Sequence, residues 1–118
     1  MNFADEFRNR TKKFALRSIR LYRSLPNTGE AQILGKQYLR AATSVAGNFR
    51  SACRGRSKKE FTAKLGVVVE EADECVLWLE LIIESGIMPE KKAGALLKEA
   101  NEIMKISATS HHTAKLGK

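Results

Sequence analysis

Four apolar stripes of helical period, each closed by its own stop signal, constrain this chain more than any other feature. Phe7, Phe14, Leu21 and Leu25 recur at helical spacing over residues 5–25. Pro26-Asn27-Thr28-Gly29 then ends the run, because proline removes a backbone donor and Asn and Gly suit a turn. A second stripe, Leu34, Tyr38, Ala41, Val45, Phe49 and Ala52, occupies residues 30–54, with Gly55 at the position of a left-handed cap.

The third segment carries the clearest start. Ser57-Lys58-Lys59-Glu60 has the form of a capping box, in which hydroxyl and carboxylate each satisfy an orphan amide. Its stripe is Phe61, Leu65, Val68, Ala72, Cys75, Val76, Leu79, Ile82 and Ile83, and it stops at Ser85-Gly86. Pro89 suits the first turn of a fourth helix bearing Ala93, Leu96, Leu97, Ala100, Ile103 and Met104. From Ser107 onward, SATSHHTAKLGK shows no apolar period and reads as a flexible tail. The expectation is an all-α, antiparallel up-down four-helix bundle over residues 1–106, followed by a tail at 107–118.

The chemistry-bearing residues exclude more than they offer. Cys53 and Cys75 lack ligand spacing, so neither a zinc site nor a disulfide framework is expected. The two histidines, His111 and His112, fall in the tail, out of reach of a carboxylate-bridged metal site in the bundle core. Glu70-Glu71 and Asp73-Glu74 are adjacent on a helix and therefore point apart, which suits a solvated face better than paired acid–base work. The chain has no phosphate-cradling glycine loop and no nucleophile–base pair. No catalytic residue, metal, cofactor or small-molecule substrate is expected. Asp5 and Glu6 occupy the stretch where a signal peptide needs apolar residues, and Glu80 and Glu84 interrupt the longest apolar run, so the protein is expected in the cytoplasm and away from membranes.

Charge is the more informative surplus. The formal net charge is +8, and it is polarised: residues 1–64 hold fifteen Lys or Arg against four acids, residues 65–118 six against nine. Arg10, Lys13, Arg17 and Arg20 form one stripe on the first helix; Arg50, Arg54, Arg56, Lys58 and Lys59 crowd the second inter-helix turn. These nine are the candidate phosphate contacts of a nucleic-acid-binding surface. A second reading stays open, in which the same cations solubilise the helices and pair with acids on neighbouring ones. Lys58 and Lys59 also oppose the macrodipole of the helix they begin, so they concentrate positive charge beside its free amides.

Apolar residues left off the stripes carry a separate signal. Leu16 and Ile19 on the first helix, and Val67, Leu77, Trp78 and Leu81 on the third, would lie exposed on a lone bundle. Two helices sharing that feature, one with the chain's single Trp, favour an oligomer interface over scattered surface hydrophobics.

The stretch from Leu34-Gly35-Lys36-Gln37 to Leu81 resembles the four-helix-bundle proteins encoded in intervening sequences of bacterial 23S ribosomal RNA genes, and the resemblance extends over about Phe7 to Met104. The resemblance rests on Gln37, Arg40-Ala41-Ala42, Ser44-Val45, Asn48, the Arg56-Ser57 turn, Glu60-Phe61 and the Glu-rich third helix, in that order. It implies a homopentamer arranged as a ring. It also implies a link to a related branch, the accessory proteins of diversity-generating retroelements, whose basic barrels bind nucleic acid and a reverse transcriptase. Ser51-Ala52 stands where many members have Glu-Gly, which makes this stretch more cationic than the usual pattern. The functional expectation is a non-enzymatic ring that binds RNA or DNA. The alternative is a structural adaptor that docks a protein such as a reverse transcriptase through the same surface.

Overall fold

The computed structural model describes residues 2–117, and all of the regular structure among them is helical. Helix α1 spans Phe3–Arg23, α2 Gly29–Cys53, α3 Lys58–Glu84 and α4 Glu90–Lys115. Side chains begin three of them. Asn2 Oδ1 accepts from the Asp5 amide at 2.9 Å, Thr28 Oγ from Ala31 at 3.3 Å, and Ser57 Oγ from Glu60 at 3.1 Å. Only the hydroxyl half of the Ser57–Glu60 box forms among the described residues. Pro89 stands one position earlier than the sequence suggested, just outside α4, where its carbonyl receives the amides of Lys92 and Ala93.

Two glycines do different work from each other. Gly86 adopts φ 82°, and its amide bonds the Ile83 carbonyl at 3.0 Å while the Ile87 amide bonds that of Ile82 at 3.1 Å. This is a Schellman cap, with half-buried Ile87 folded back onto the core. Gly55 corrects the sequence reading: it is not left-handed. Its smallness matters instead, since a Cβ there would sit 3.1 Å from the Ala52 carbonyl oxygen and 3.3 Å from the Phe61 amide nitrogen. Glycine keeps this turn tight.

Cross-helix pairs give the register. Ser18 meets Tyr38, and Tyr22 meets Gln32, so α1 and α2 run antiparallel. Arg40 meets Glu74 and Ser44 meets Glu71 between α2 and α3, while Arg10 meets Glu99 and Glu102 between α1 and α4. A Cβ on Gly66 would touch His111, which aligns α3 with α4 in the same sense. Each helix packs on its neighbours in cyclic order and α1–α4 is the thinnest seam; among the described residues the backbones of the diagonal pairs stay apart. The result is an up-down bundle about 46 Å long.

The four apolar stripes meet inside. Phe7, Phe14, Tyr38, Val45, Phe49, Leu65, Leu79, Ile82 and Ile103 are buried, and Leu34, Phe61, Ile83, Leu97 and Met104 pack half-buried around them. Each large aliphatic side chain withdrawn from water contributes about 1.5–3 kcal/mol. Among the described residues the core holds one polar pair. Ser18 Oγ donates to the Phe14 carbonyl at 2.8 Å and so accepts from the Tyr38 hydroxyl at 2.6 Å, which satisfies both groups. Burial pushes the Tyr38 hydroxyl well above its ordinary pKa, keeping it a neutral donor.

Helix α4 runs nine residues past Ile106, where the sequence reading ended the bundle. Ser107 is fully buried, with its hydroxyl returned to the Ile103 and Met104 carbonyls, and Ile106 packs against the core. A polar residue thus holds a core position that a purely apolar pattern cannot register.

Candidate nucleic-acid interface

The α2–α3 turn brings α1's first turns and α4's last ones to the same end of the bundle. The Phe3 and Phe49 rings lie 6.3 Å apart, and Lys58 and Lys59 share a shallow groove of about 620 Å³ with Thr62, His111 and Lys115. On the α1–α2 side of this end, Arg8, Lys12 and Arg50 line a smaller depression of about 170 Å³. Arg54, Arg56, Lys58 and Lys59 are fully on the surface, and neither they nor Arg50 enter an ion pair among the described residues. The nearby acids are few: Asp5, engaged by Arg8, and exposed Glu6 and Glu60. This end therefore presents uncompensated positive charge.

The remaining candidates do not join it. Arg17 and Arg20 line an α1–α4 groove of about 270 Å³ with Lys92 and Ser24, toward the opposite end. Lys13 is exposed on α1. Arg10 is held inside its own chain: its Nε and Nη2 donate to both carboxylate oxygens of Glu99 at 2.8 and 2.7 Å, and Nη2 also reaches Glu102 at 3.1 Å. A planar fork on a planar carboxylate is the strongest geometry for such a pair. The nine sequence candidates therefore fall into a basic end (Arg50, Arg54, Arg56, Lys58, Lys59), a lateral groove (Arg17, Arg20), an exposed Lys13 and an engaged Arg10. Sequence reasoning missed Lys92 and Lys115, whose approach to the clusters depends on α4's register.

The Arg10 fork has a consequence for pH. Its hydrogen bond holds the Glu99 carboxyl below the usual carboxylate range, against the opposing effect of burial. A folded-state pKa lowered this way gives stability that is complete above the unfolded value of about 4.3 and is lost as pH falls through the lower folded value. Melting temperature should therefore decline more steeply below about pH 5 in the wild type than in Arg10→Met, which lacks the partner. Thermal melts followed by circular dichroism across that range check it. Parallel curves would remove the assignment.

A comparable network bridges α2 and α3. Arg40 reaches Glu71 and Glu74, Ser44 donates to Glu71 at 2.9 Å, and Asn48 donates to Ser44. These are residues on which the resemblance rests, and their visible work is to clamp the two helices.

The oligomer candidates also divide. Leu16, Leu77 and Leu81 remain 44%, 46% and 40% exposed, whereas Ile19 and Val67 are half-buried. Trp78 packs against the core, and its Nε1 lies buried without a hydrogen-bond partner, so the indole is more a packed side chain than a free surface handle. Exposed Ile33 on α2 is a further apolar residue that sequence reasoning did not select. Cys53 and Cys75 are free thiols, and burial, with Glu71 and Glu74 nearby, pushes the Cys75 pKa up. Among the described residues, no three His, Cys, Asp or Glu side chains gather as a metal site, and no helix is long and apolar enough to cross a membrane.

A family model described as 23S rRNA-intervening sequence protein matches residues 6–109, through all four helices. The chain belongs to that family. The likeness drawn from Gln37, Arg40, Ser44 and Asn48 is thereby upheld. The fold recurs in a solved relative, a 1.70 Å crystal structure of a protein of unknown function from the S23 ribosomal protein family of Bacteroides thetaiotaomicron VPI-5482. That chain is 28% identical, the alignment covers 92% of this chain and 97% of that one, and the TM-score is 0.85. No curated protein matches the chain.

Proposed function

We propose that this 23S rRNA-intervening sequence protein is a non-enzymatic, cytoplasmic nucleic-acid-binding protein that grips phosphates with the basic end of its bundle. The observation that carries the reading is the unpaired state of Arg50, Arg54, Arg56, Lys58 and Lys59, gathered at a turn that needs none of their charge. Arg10 and Arg40, by contrast, are held by acids of the neighbouring helices. Arg17 and Arg20, with Lys92, give a second, separate cationic groove toward the other end of the bundle. Phosphate contact of this kind is steeply salt-dependent. Titration of structured RNA and duplex DNA from low to physiological salt tests it, and absence of binding at low salt would end the proposal.

The working form is a homo-oligomeric ring, the pentamer that the family resemblance implies. Helices α1 and α3 lie on a diagonal and face different ways. The α1 face sets exposed Leu16 beside Lys13 and Arg20, and the α3 face sets Leu77 and Leu81 among Asp73, Glu70, Glu80 and Glu84. Two unlike, charge-complementary faces support a head-to-tail contact, and a head-to-tail contact that closes makes a ring. Leu77→Glu with Leu81→Glu should reduce the assembly to monomer in light scattering at micromolar concentration, without loss of helix content. A wild type that is already monomeric would rule the ring out.

A further inference from the structure

The basic end has a feature that a plain phosphate clamp does not need. Between the start of α1, the start of α3 and the last turns of α4 lies a pocket of about 300 Å³ lined by Phe3, Phe61, Thr109, Ser110, Thr113 and Lys58. Phe3 is 47% exposed, yet its ring is fixed: it stacks on Phe7 at 5.4 Å and meets the edge of Phe49 at 6.3 Å. An exposed aromatic ring held in place by two others is a platform that loses little freedom on binding.

The opposite wall is polar. None of the hydroxyls of Thr109, Ser110 and Thr113 makes a hydrogen bond among the described residues, whereas Thr43, Thr62, Ser18 and Ser107 each return theirs to a preceding helix carbonyl. Their donor and acceptor capacity remains available to a guest. Lys58 and Ala114 also line the neighbouring groove of Lys59, His111 and Lys115, so the two hollows adjoin.

We propose that this pocket takes an unstacked nucleobase, with the strand's phosphates running through the adjoining lysine groove; the inference rests on the nucleic-acid reading above. A flat apolar ring fits Phe3 and Phe61, its hydrogen-bonding edge meets the free hydroxyls, and the flanking negative charge meets Lys58 and Lys59. The protein then prefers single strands, loops or bulges over continuous duplex, whose bases are not free to enter. A hydrophobic side chain of a protein partner would use Phe3 equally well, but would leave the three hydroxyls and the lysines without a role.

The test separates base from backbone. Affinity is measured for oligothymidylate and for the same phosphate backbone carrying abasic sites, with the wild type and with Phe3→Ala and Phe3→Trp. The wild type should favour the base-bearing strand by about tenfold, in the range expected for one aromatic stack. Phe3→Ala should abolish that preference and leave the salt slope unchanged, and Phe3→Trp should restore or enlarge it. Because Phe3 is exposed, the variants should melt close to the wild type, and thermal melts check that the fold is intact. Equal affinity of the wild type for both strands, with salt-dependent binding retained, would overturn the base pocket alone. Loss of binding to both strands at low salt in the wild type would instead remove the underlying nucleic-acid reading and the pocket with it.

Discussion

Replacing Arg54, Arg56 and Lys59 together by Ala is expected to weaken nucleic-acid binding roughly a hundredfold at about 0.15 M salt. The magnitude follows from counterion release. Each phosphate neutralised on a duplex contributes about 0.9 to the slope of log affinity against log salt, so three lost contacts flatten it by about 2.7. The same substitutions should leave the fold untouched, because the three side chains are exposed and make no ion pair among the described residues. Surface changes of this type shift stability by no more than about 0.5 kcal/mol. Reversal to Glu should deepen the loss further. The control is Arg10→Ala: its guanidinium is occupied by Glu99 and Glu102, so its removal should alter stability and leave the salt slope where it was. A slope unchanged by the triple substitution would show that the basic end is not the binding surface.

The largest loss of stability is expected from Phe49→Ala, at about 3–5 kcal/mol. Phe49 is completely buried near the basic end, and the Phe7 ring meets it edge-on at 4.8 Å. Truncation would open a cavity between α1 and α2 and remove an aromatic pair worth about 0.5–1.5 kcal/mol beyond area burial. For a chain of this size, melting temperature should fall by roughly 10–20 °C at a fixed protein concentration. Because Phe3 also rests against Phe49, the variant should lose base preference at temperatures where the bundle is still folded. A change below about 1 kcal/mol would mean that the three-ring cluster packs loosely in solution.

Much of this fold was legible because helix punctuation and the apolar period are local. Phe14, Tyr38, Val45, Leu65, Leu79 and Ile103 all read as core and all are buried. The departures have physical causes. Gly55 was misassigned because a glycine after a helix commonly marks positive φ, while here it relieves crowding against Ala52 and Phe61. The last turns of α4 escaped notice because Ser107 substitutes a self-satisfied hydroxyl for an apolar side chain. The candidate site was only half visible. Arg54, Arg56, Lys58 and Lys59 are neighbours in sequence, so their clustering needs no fold. Arg10 could not be excluded from the stripe, since its partner Glu99 lies 89 positions away. The pocket on Phe3 needs three helices at once, and its hydroxyl wall stands on the stretch of α4 that composition alone marks as tail.

The thin α1–α4 seam bears on how the chain reaches this structure. Apart from that seam, every helix pairing joins neighbours along the chain through turns of four or five residues, so each can form as a local hairpin with little loop entropy to overcome. Low contact order of this kind goes with folding in microseconds to milliseconds. The α1–α2 hairpin can assemble while α4 is still being synthesised, whereas the Arg10–Glu99 contact needs both ends of the chain. Phe3 and the hydroxyl wall of α4 meet across the same two helices, so the Phe3 pocket is completed only when the whole chain has folded.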